Sequence, residues 1–179
     1  ATDAAARGVV GDAIRAVSAW TSDVETALTP ADAEDLWHIR HAASPLLARL
    51  PDTLRSMQVI EDGAVPVAQL AEYVRLVRRV TASHGLEAVI FGHAGDGNIH
   101  VNLLVDVTKG EWEEPVTLVL REVSDGISTL GGTLSGEHGI GAVQRPYMDI
   151  AFNKAQLDLM RGIKQAFDWE RDAQVFVGH

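Results

Sequence analysis

The sequence predicts an α+β fold, in which a small antiparallel sheet is covered by helices. Two short apolar segments, residues 88–91 and 99–105, flank a glycine-rich polar turn, and this pattern predicts two antiparallel strands joined as a hairpin. Segments with apolar residues at helical spacing precede and follow the hairpin. Strands and helices mixed in this order are typical of one layer of helices packed on a sheet.

The helices are predicted from apolar residues that recur every three or four positions. Thr29-Pro30 provides a start signal for the second helix, and Pro51 ends it. Gly85 ends the third helix, and Gly131-Gly132 ends the fourth. The predicted helices cover roughly residues 4–27, 31–49, 70–84, 116–130 and 157–167.

Length and composition narrow the classes of function. A chain of 179 residues suits one domain over residues 1–179, which we expect to be a fragment of a longer protein. The net charge of -10 argues against nucleic acid and anionic membranes as partners. The chain has no cysteine, so disulfides, thiolate nucleophiles and iron–sulfur ligation are excluded. No apolar run approaches the roughly 20 residues of a transmembrane segment, and we expect a cytoplasmic protein, associated with membranes only through other subunits.

The hairpin carries the first polar cluster. If Asp96 and Gly97 are the two turn residues, His93 lies directly opposite His100, and both imidazoles can converge on one ion. A longer glycine-rich loop would relax this pairing and still bring the two histidines close. Strand alternation places Asn102 on the face of His100, while the apolar residues between and beyond them face the core.

A second polar cluster, residues 135–141, follows the fourth predicted helix. Glu137 lies in this glycine-flanked loop and is the best third ligand, since two histidines and one carboxylate leave coordination positions open for chemistry. His138 is expected to point away from the ion and to transfer a proton. Glycine-rich turns and surface histidines are common, so the prediction depends on the combination of groups and not on any one histidine.

The segments 92–102 and 132–141 resemble the two signature motifs of the C-terminal domain of FAD-linked oxidases. This family includes D-lactate dehydrogenase, the glycolate oxidase FAD subunit and D-2-hydroxyglutarate dehydrogenase. Two shorter segments, 36–40 and 61–66, resemble further family patterns, and the likeness extends over roughly residues 36–168. The resemblance implies a ferredoxin-like cap domain of a flavoenzyme of the vanillyl-alcohol oxidase type.

The resemblance also implies the partners and the site residues. A separate N-terminal FAD-binding domain would hold the FAD, and the substrate would be a small 2-hydroxy acid. In metal-dependent members a divalent ion, commonly zinc, is bound by residues that match His93, His100 and Glu137. The residue matching His138 is the base, the one matching Asn102 lies beside the substrate, and Arg40 matches an arginine that binds a substrate carboxylate.

This implies an FAD-dependent oxidoreductase acting on CH–OH groups, which oxidises a 2-hydroxy acid to the 2-oxo acid with hydride transfer to FAD. The FAD-binding domain is absent from this chain, so the chain alone is expected to be inactive. The sequence departs from the family after Asp168 and around Gln144-Arg145, where a lysine is often found. Glu61-Asp62 lacks the lysine that helps some relatives hold a second carboxylate, which favours a monocarboxylate such as lactate or glycolate.

Two other functions stay open at this point. The same open site could activate water in a free-standing metal-dependent hydrolase. Alternatively, the chain could be a non-catalytic interaction domain that uses its exposed face as an interface. A homodimer is compatible with each of these functions, and the sequence does not choose among oligomeric states.

Overall fold

The computed structural model describes residues 3–167, and the chain divides into two compact units, residues 1–49 and 50–179. The described part of the first unit is helical, with α1 at Asp3–Val17, α2 at Pro30–His41 and α3 at Ala43–Leu47. Thr29 caps α2 as predicted, because its side chain accepts a hydrogen bond from the backbone N–H of Asp32 at 3.2 Å.

Both predicted helices of the first unit are too long. The first ends at Val17 instead of residue 27, and the hydroxyl of Thr21 accepts a hydrogen bond from the N–H of Asp23 in the non-helical segment that follows. The second is divided into α2 and α3, because Pro45 lacks the N–H that would bond to the carbonyl of His41.

The second unit contains the sheet. Its elements are β1 at Leu54–Ala64, α4 at Leu70–Ser83, β2 at Glu87–His93, β3 at Asn98–Asp106 and α5 at Glu113–Thr129. The strand order is β1-β3-β2, and both outer strands run antiparallel to β3. The two outer strands are therefore parallel to each other and connected through α4, which is the split β-α-β arrangement of ferredoxin-like folds. The predicted α+β class is confirmed.

A fourth strand is reduced to one residue pair at the outer edge of β1. Ala64 and Thr133 form an isolated antiparallel bridge, with N···O distances of 3.0 and 2.8 Å. The chain then leaves the sheet edge and enters the second polar cluster instead of continuing as a strand. In the described residues beyond this cluster, the helices are α6 at Gly141–Gln144, α7 at Met148–Ala151 and α8 at Lys154–Phe167.

The core lies between α4, α5 and one face of the sheet. Ile99, Val101 and Leu103 are buried on this face, as predicted. The helix α5 contains the apolar stripe from which a helix was predicted, and most residues of that stripe are buried. Burial of these apolar side chains is the main favourable term in folding the unit. The remaining core is formed by apolar side chains of β1, α4 and α5, chiefly Val59, Ile60, Tyr73, Val77, Val116, Val119, Val123 and Ile127.

Among the described residues, no helix combines the length and the apolar character that a bilayer-spanning helix requires.

Candidate metal centre

The hairpin between β2 and β3 presents both histidines on one face of the sheet, in a register different from the predicted one. His93 pairs with Asn98, and Phe91 pairs with His100, so the two histidines are diagonal neighbours rather than directly opposed. The predicted two-residue turn is wrong because the connection is longer, with a 3-10 turn at Ala94–Asp96 followed by Gly97 at φ +71°.

This longer loop is fixed to the end of β1. The N–H of Val65 donates to the carbonyl of Gly97 at 3.0 Å, and the positive φ of Gly97 suits a residue without a Cβ. His93 and His100 still meet, as the sequence analysis allowed for a longer loop. Their ring centroids are 5.5 Å apart and their planes are nearly perpendicular, at 89°.

His100 is the most constrained of the candidate ligands. Its side chain is buried, and its Nδ1 is hydrogen-bonded to the backbone carbonyl of Glu61. A carbonyl oxygen only accepts, so Nδ1 carries the proton and Nε2 keeps the lone pair that a metal requires. An imidazole held by a backbone carbonyl in this way is a common arrangement around metal-binding histidines.

The three predicted ligands converge. His93, His100 and Glu137 each offer one ligand atom, and these atoms lie within 4.8 Å of one another. Nε2 of His93 is 3.8 Å from Oε1 of Glu137. Ligands placed about 2.0–2.2 Å from a tetrahedral zinc are roughly 3.3–3.6 Å apart, so side-chain movements of about an ångström would close the set. His93 and Glu137 are about half exposed and have room to make them.

His138 lies beside this triad instead of pointing away from it, so that part of the prediction is corrected. Its Nε2 is 3.4 Å from Oε1 of Glu137, and its Nδ1 is 3.6 Å from Oε1 of Glu61. The ring stacks on His100, with centroids 5.7 Å apart and an interplanar angle of 14°. The imidazole therefore has a carboxylate oxygen within 3.6 Å of each ring nitrogen.

Asp62 is a site residue that the sequence analysis did not identify. Its side chain is 1% exposed and accepts hydrogen bonds from Asn98, Ser135 and the backbone N–H groups of Glu137 and His138. Burial raises the pKa of this carboxyl, but the hydrogen bonds together outweigh burial and hold the pKa below its ordinary value. The acidic pair before Val65-Pro66 was the signal in the sequence, and its role depends on residues more than seventy positions away.

The two predicted substrate-binding residues lie in different units. Asn102 is buried on β3, two residues from His100 and on the same face, and its Oδ1 has no hydrogen-bond partner in the described part of the chain. Arg40 lies on α2 of the first unit. Gln144, in the segment where a departure from the family's lysine was expected, is buried at the end of α6, while the altered tail after Asp168 lies outside the described residues.

Residues 3–170 match the family model described as FAD linked oxidases, C-terminal domain. The chain belongs to this family. It is 35% identical to the glycolate oxidase subunit GlcD of Bacillus subtilis over 145 residues, which are 81% of this chain and 30% of that protein. It is 38% identical to a D-lactate dehydrogenase of Archaeoglobus fulgidus over 148 residues, which are 82% of this chain and 31% of that protein.

A D-2-hydroxyglutarate dehydrogenase of Xanthomonas citri pv. viticola is 33% identical over 151 residues, which are 83% of this chain and 31% of that protein. The chain thus spans about 30% of the length of the relatives it matches. The family description ties this domain to FAD-linked enzymes.

Proposed function

We propose that this chain is the substrate-binding cap domain of an FAD-dependent 2-hydroxy acid dehydrogenase of the lactate or glycolate type. The observation that supports this most is the convergence of His93, His100 and Glu137, whose ligand atoms lie within 4.8 Å of one another. The similarity to enzymes named for glycolate, D-lactate and D-2-hydroxyglutarate indicates the class of substrate.

The donor set fits a divalent ion, and zinc is the first candidate. Two imidazoles and one carboxylate are ligands that zinc accepts, and three protein ligands leave a position for substrate. The hydrogen bond from Nδ1 of His100 to the Glu61 carbonyl leaves Nε2 as the ligand atom. A divalent ion held here would lower the pKa of the substrate hydroxyl, and FAD on the N-terminal domain would accept the hydride.

The part of this chain in the reaction is to bind, to orient and to take up a proton. In the proposal, Nε2 of His138 accepts the proton of the 2-hydroxyl group, because it lies on the side of the ring that faces Glu137. Glu61, at 3.6 Å from Nδ1, stabilises the imidazolium that forms. Asn102 would contact the substrate through its amide, and the binding of the substrate carboxylate by Arg40 stays a prediction from the family resemblance.

The charge around the triad favours a substrate with one carboxylate. The carboxylate of Glu61 is about half exposed beside His138. A second substrate carboxylate placed near Glu61 would be repelled by it, because like charges at short range disfavour each other. Lactate and glycolate carry no second carboxylate, whereas 2-hydroxyglutarate does.

Membership of the FAD-linked oxidase family favours this function over a free-standing metal-dependent hydrolase or a non-catalytic interaction domain. The FAD-binding domain as partner, the homodimer and the cytoplasmic location stay predictions.

Metal content tests the site directly. The chain would be purified, treated with a chelator and titrated with zinc, beside a His93→Ala/His100→Ala double variant and a His84→Ala control. His84, at the end of α4, is hydrogen-bonded to Glu122 of α5 and is not one of the three converging residues. We expect about one zinc per chain in the wild type and the control, and none at comparable affinity in the double variant. Equal binding in all three proteins would contradict the site.

Flavin reduction tests the reaction. In the polypeptide that includes the FAD-binding domain, lactate or glycolate should bleach the absorption of oxidised flavin in the absence of oxygen. His138→Gln should slow this bleaching by about 100-fold or more, the usual contribution of a general base, with His84→Ala unchanged. Bleaching at an unchanged rate in His138→Gln would remove His138 from its proposed role. A strong preference for 2-hydroxyglutarate would contradict the monocarboxylate assignment.

A further inference from the structure

The strand β1 contains one extra residue opposite His100. Ile60 pairs with Val101 and Gly63 pairs with Ile99, so three steps along β1 correspond to two steps along β3. Glu61 and Asp62 together oppose the single residue His100, which is the definition of a β-bulge. Bulges re-aim side chains, and here the two bulged residues are the ones that contact the candidate metal centre.

Asp62 binds four consecutive residues of the loop that carries Glu137. Its Oδ2 accepts from the hydroxyl of Ser135 at 2.7 Å and from the N–H groups of Glu137 and His138 at 2.8 and 2.7 Å. Its backbone carbonyl accepts from the N–H of Gly136 at 2.8 Å. Each loop residue from 135 to 138 is therefore hydrogen-bonded to this one residue of the sheet.

The same carboxylate reaches the hairpin. Its Oδ1 accepts from the side-chain amide of Asn98 at 2.7 Å, and Asn98 is the strand partner of His93. Asp62 thus connects the hairpin, which supplies both histidines, with the loop, which supplies the carboxylate and the proposed base.

We propose that Asp62 is the positioning residue that aligns the metal-binding and proton-transfer groups. The inference rests on the proposed function of those groups. Glu137 and His138 have side chains that are 52% and 47% exposed, so packing does not fix them. Their backbone also lies next to glycines at 136 and 139, which leave the loop many alternative conformations. Asp62 removes those alternatives before a ligand arrives.

Two substitutions at this position separate positioning from charge. Asp62→Ala removes both the charge and the acceptors, whereas Asp62→Asn removes the charge and keeps an oxygen that can face the two backbone N–H groups. The amide of that asparagine would then face Asn98, whose own amide can rotate to present its unpartnered Oδ1. We expect Asp62→Ala to weaken zinc binding by about 10–100-fold, and Asp62→Asn to weaken it clearly less.

The measurement is zinc affinity by calorimetric titration of the 179-residue chain and its variants, with thermal unfolding recorded for each. Val123→Ala serves as the control for general destabilisation, because it leaves a cavity in the core at a fully buried position of α5. It should lower the unfolding temperature and leave zinc affinity within about twofold of the wild type. Ser135→Ala, which removes one donor to Asp62, should weaken zinc binding even if Asp62→Ala does not fold.

Three results would overturn the inference. The affinity of Asp62→Ala could equal that of the wild type, Asp62→Asn and Asp62→Ala could lose affinity equally, or Val123→Ala could lose as much as either. An unchanged affinity in Ser135→Ala would overturn it where Asp62→Ala does not fold. Failure of the proposed metal site gives a different result, because the wild type itself would then bind no zinc that depends on His93 and His100.

Discussion

Replacing Gly136 with alanine should disturb the loop that carries Glu137 through one identifiable clash. A Cβ at this position would lie 2.6 Å from Nδ2 of Asn98, 3.2 Å from the Cβ of Ala64 and 3.3 Å from Oδ1 of Asp62. Nδ2 of Asn98 cannot retreat without losing its 2.7 Å hydrogen bond to Asp62, so the strain falls on the loop or on that bond.

The expected magnitude follows from the cost of inserting a methyl group into a packed site, about 1–3 kcal/mol in the free energy of unfolding. The loop shift should also lower zinc affinity by at least about 10-fold, which corresponds to about 1.4 kcal/mol. Gly95→Ala is the matched control, since a Cβ there meets nothing within 4 Å although the residue lies in the neighbouring hairpin loop. Its effect on unfolding should stay within about 0.5 kcal/mol.

Urea unfolding followed by circular dichroism gives the stability difference, and zinc titration gives the affinity difference. Equal urea midpoints and equal zinc affinities for Gly136→Ala and Gly95→Ala would contradict this prediction. In that case the loop would not be held close against Asn98 and Asp62.

Three further predictions concern stability. Tyr73→Phe should be neutral or stabilising by about 1 kcal/mol, because the fully buried Tyr73 hydroxyl has no hydrogen-bond partner in the described part of the chain; a loss above about 1 kcal/mol in urea unfolding would show that the hydroxyl is paired. Asp62 has a lowered pKa in the folded state, so its stabilising effect is present above the unfolded-state pKa of about 3.9 and is lost as pH falls through the lower folded value. The stability difference between the wild type and Asp62→Asn should therefore shrink as the pH is lowered below about 4 in a series of urea titrations, and a difference that grows towards acid pH would contradict the lowered pKa. Zinc at about 100 times its dissociation constant should stabilise the wild type by about 2.7 kcal/mol, which corresponds to a rise in Tm of about 5–10 °C. A thermal scan of Glu137→Gln should show that most of this rise is lost.

The sequence predicted those parts of the fold in which side-chain periodicity is regular. Strand β3 alternates between a core face with Val101 and Leu103 and a polar face with His100, and α5 follows its apolar stripe. Strand β1 was missed because its bulges break the alternation. The residues paired opposite the core positions of β3 are Met57, Ile60 and Gly63, which are spaced by three and not by two.

In the site, too, the features set by local sequence could be predicted, and those set by contacts between distant residues could not. The convergence of His93, His100 and Glu137 could be anticipated because glycine-rich loops bring these residue types together in two compact motifs. The register of the hairpin could not be anticipated, because its loop is held by a hydrogen bond from the N–H of Val65 to the carbonyl of Gly97, and Val65 is remote from the hairpin in sequence. The role of Asp62 was equally hidden, because its partners at 135–138 are remote in sequence.

The bridge between Ala64 and Thr133 has a consequence for the order in which the molecule assembles. The chain between these two residues contains a helix, a hairpin and a second helix. Closing so long a loop is entropically costly, so the contact is expected to form late in folding. Glu137 lies in the loop that follows Thr133, so it comes next to the histidines only when the bridge has formed. A partly folded chain without the bridge therefore lacks the complete ligand set. High-affinity metal binding would therefore report that the whole second unit has reached its native topology, and a pulse of zinc during refolding would time that final step.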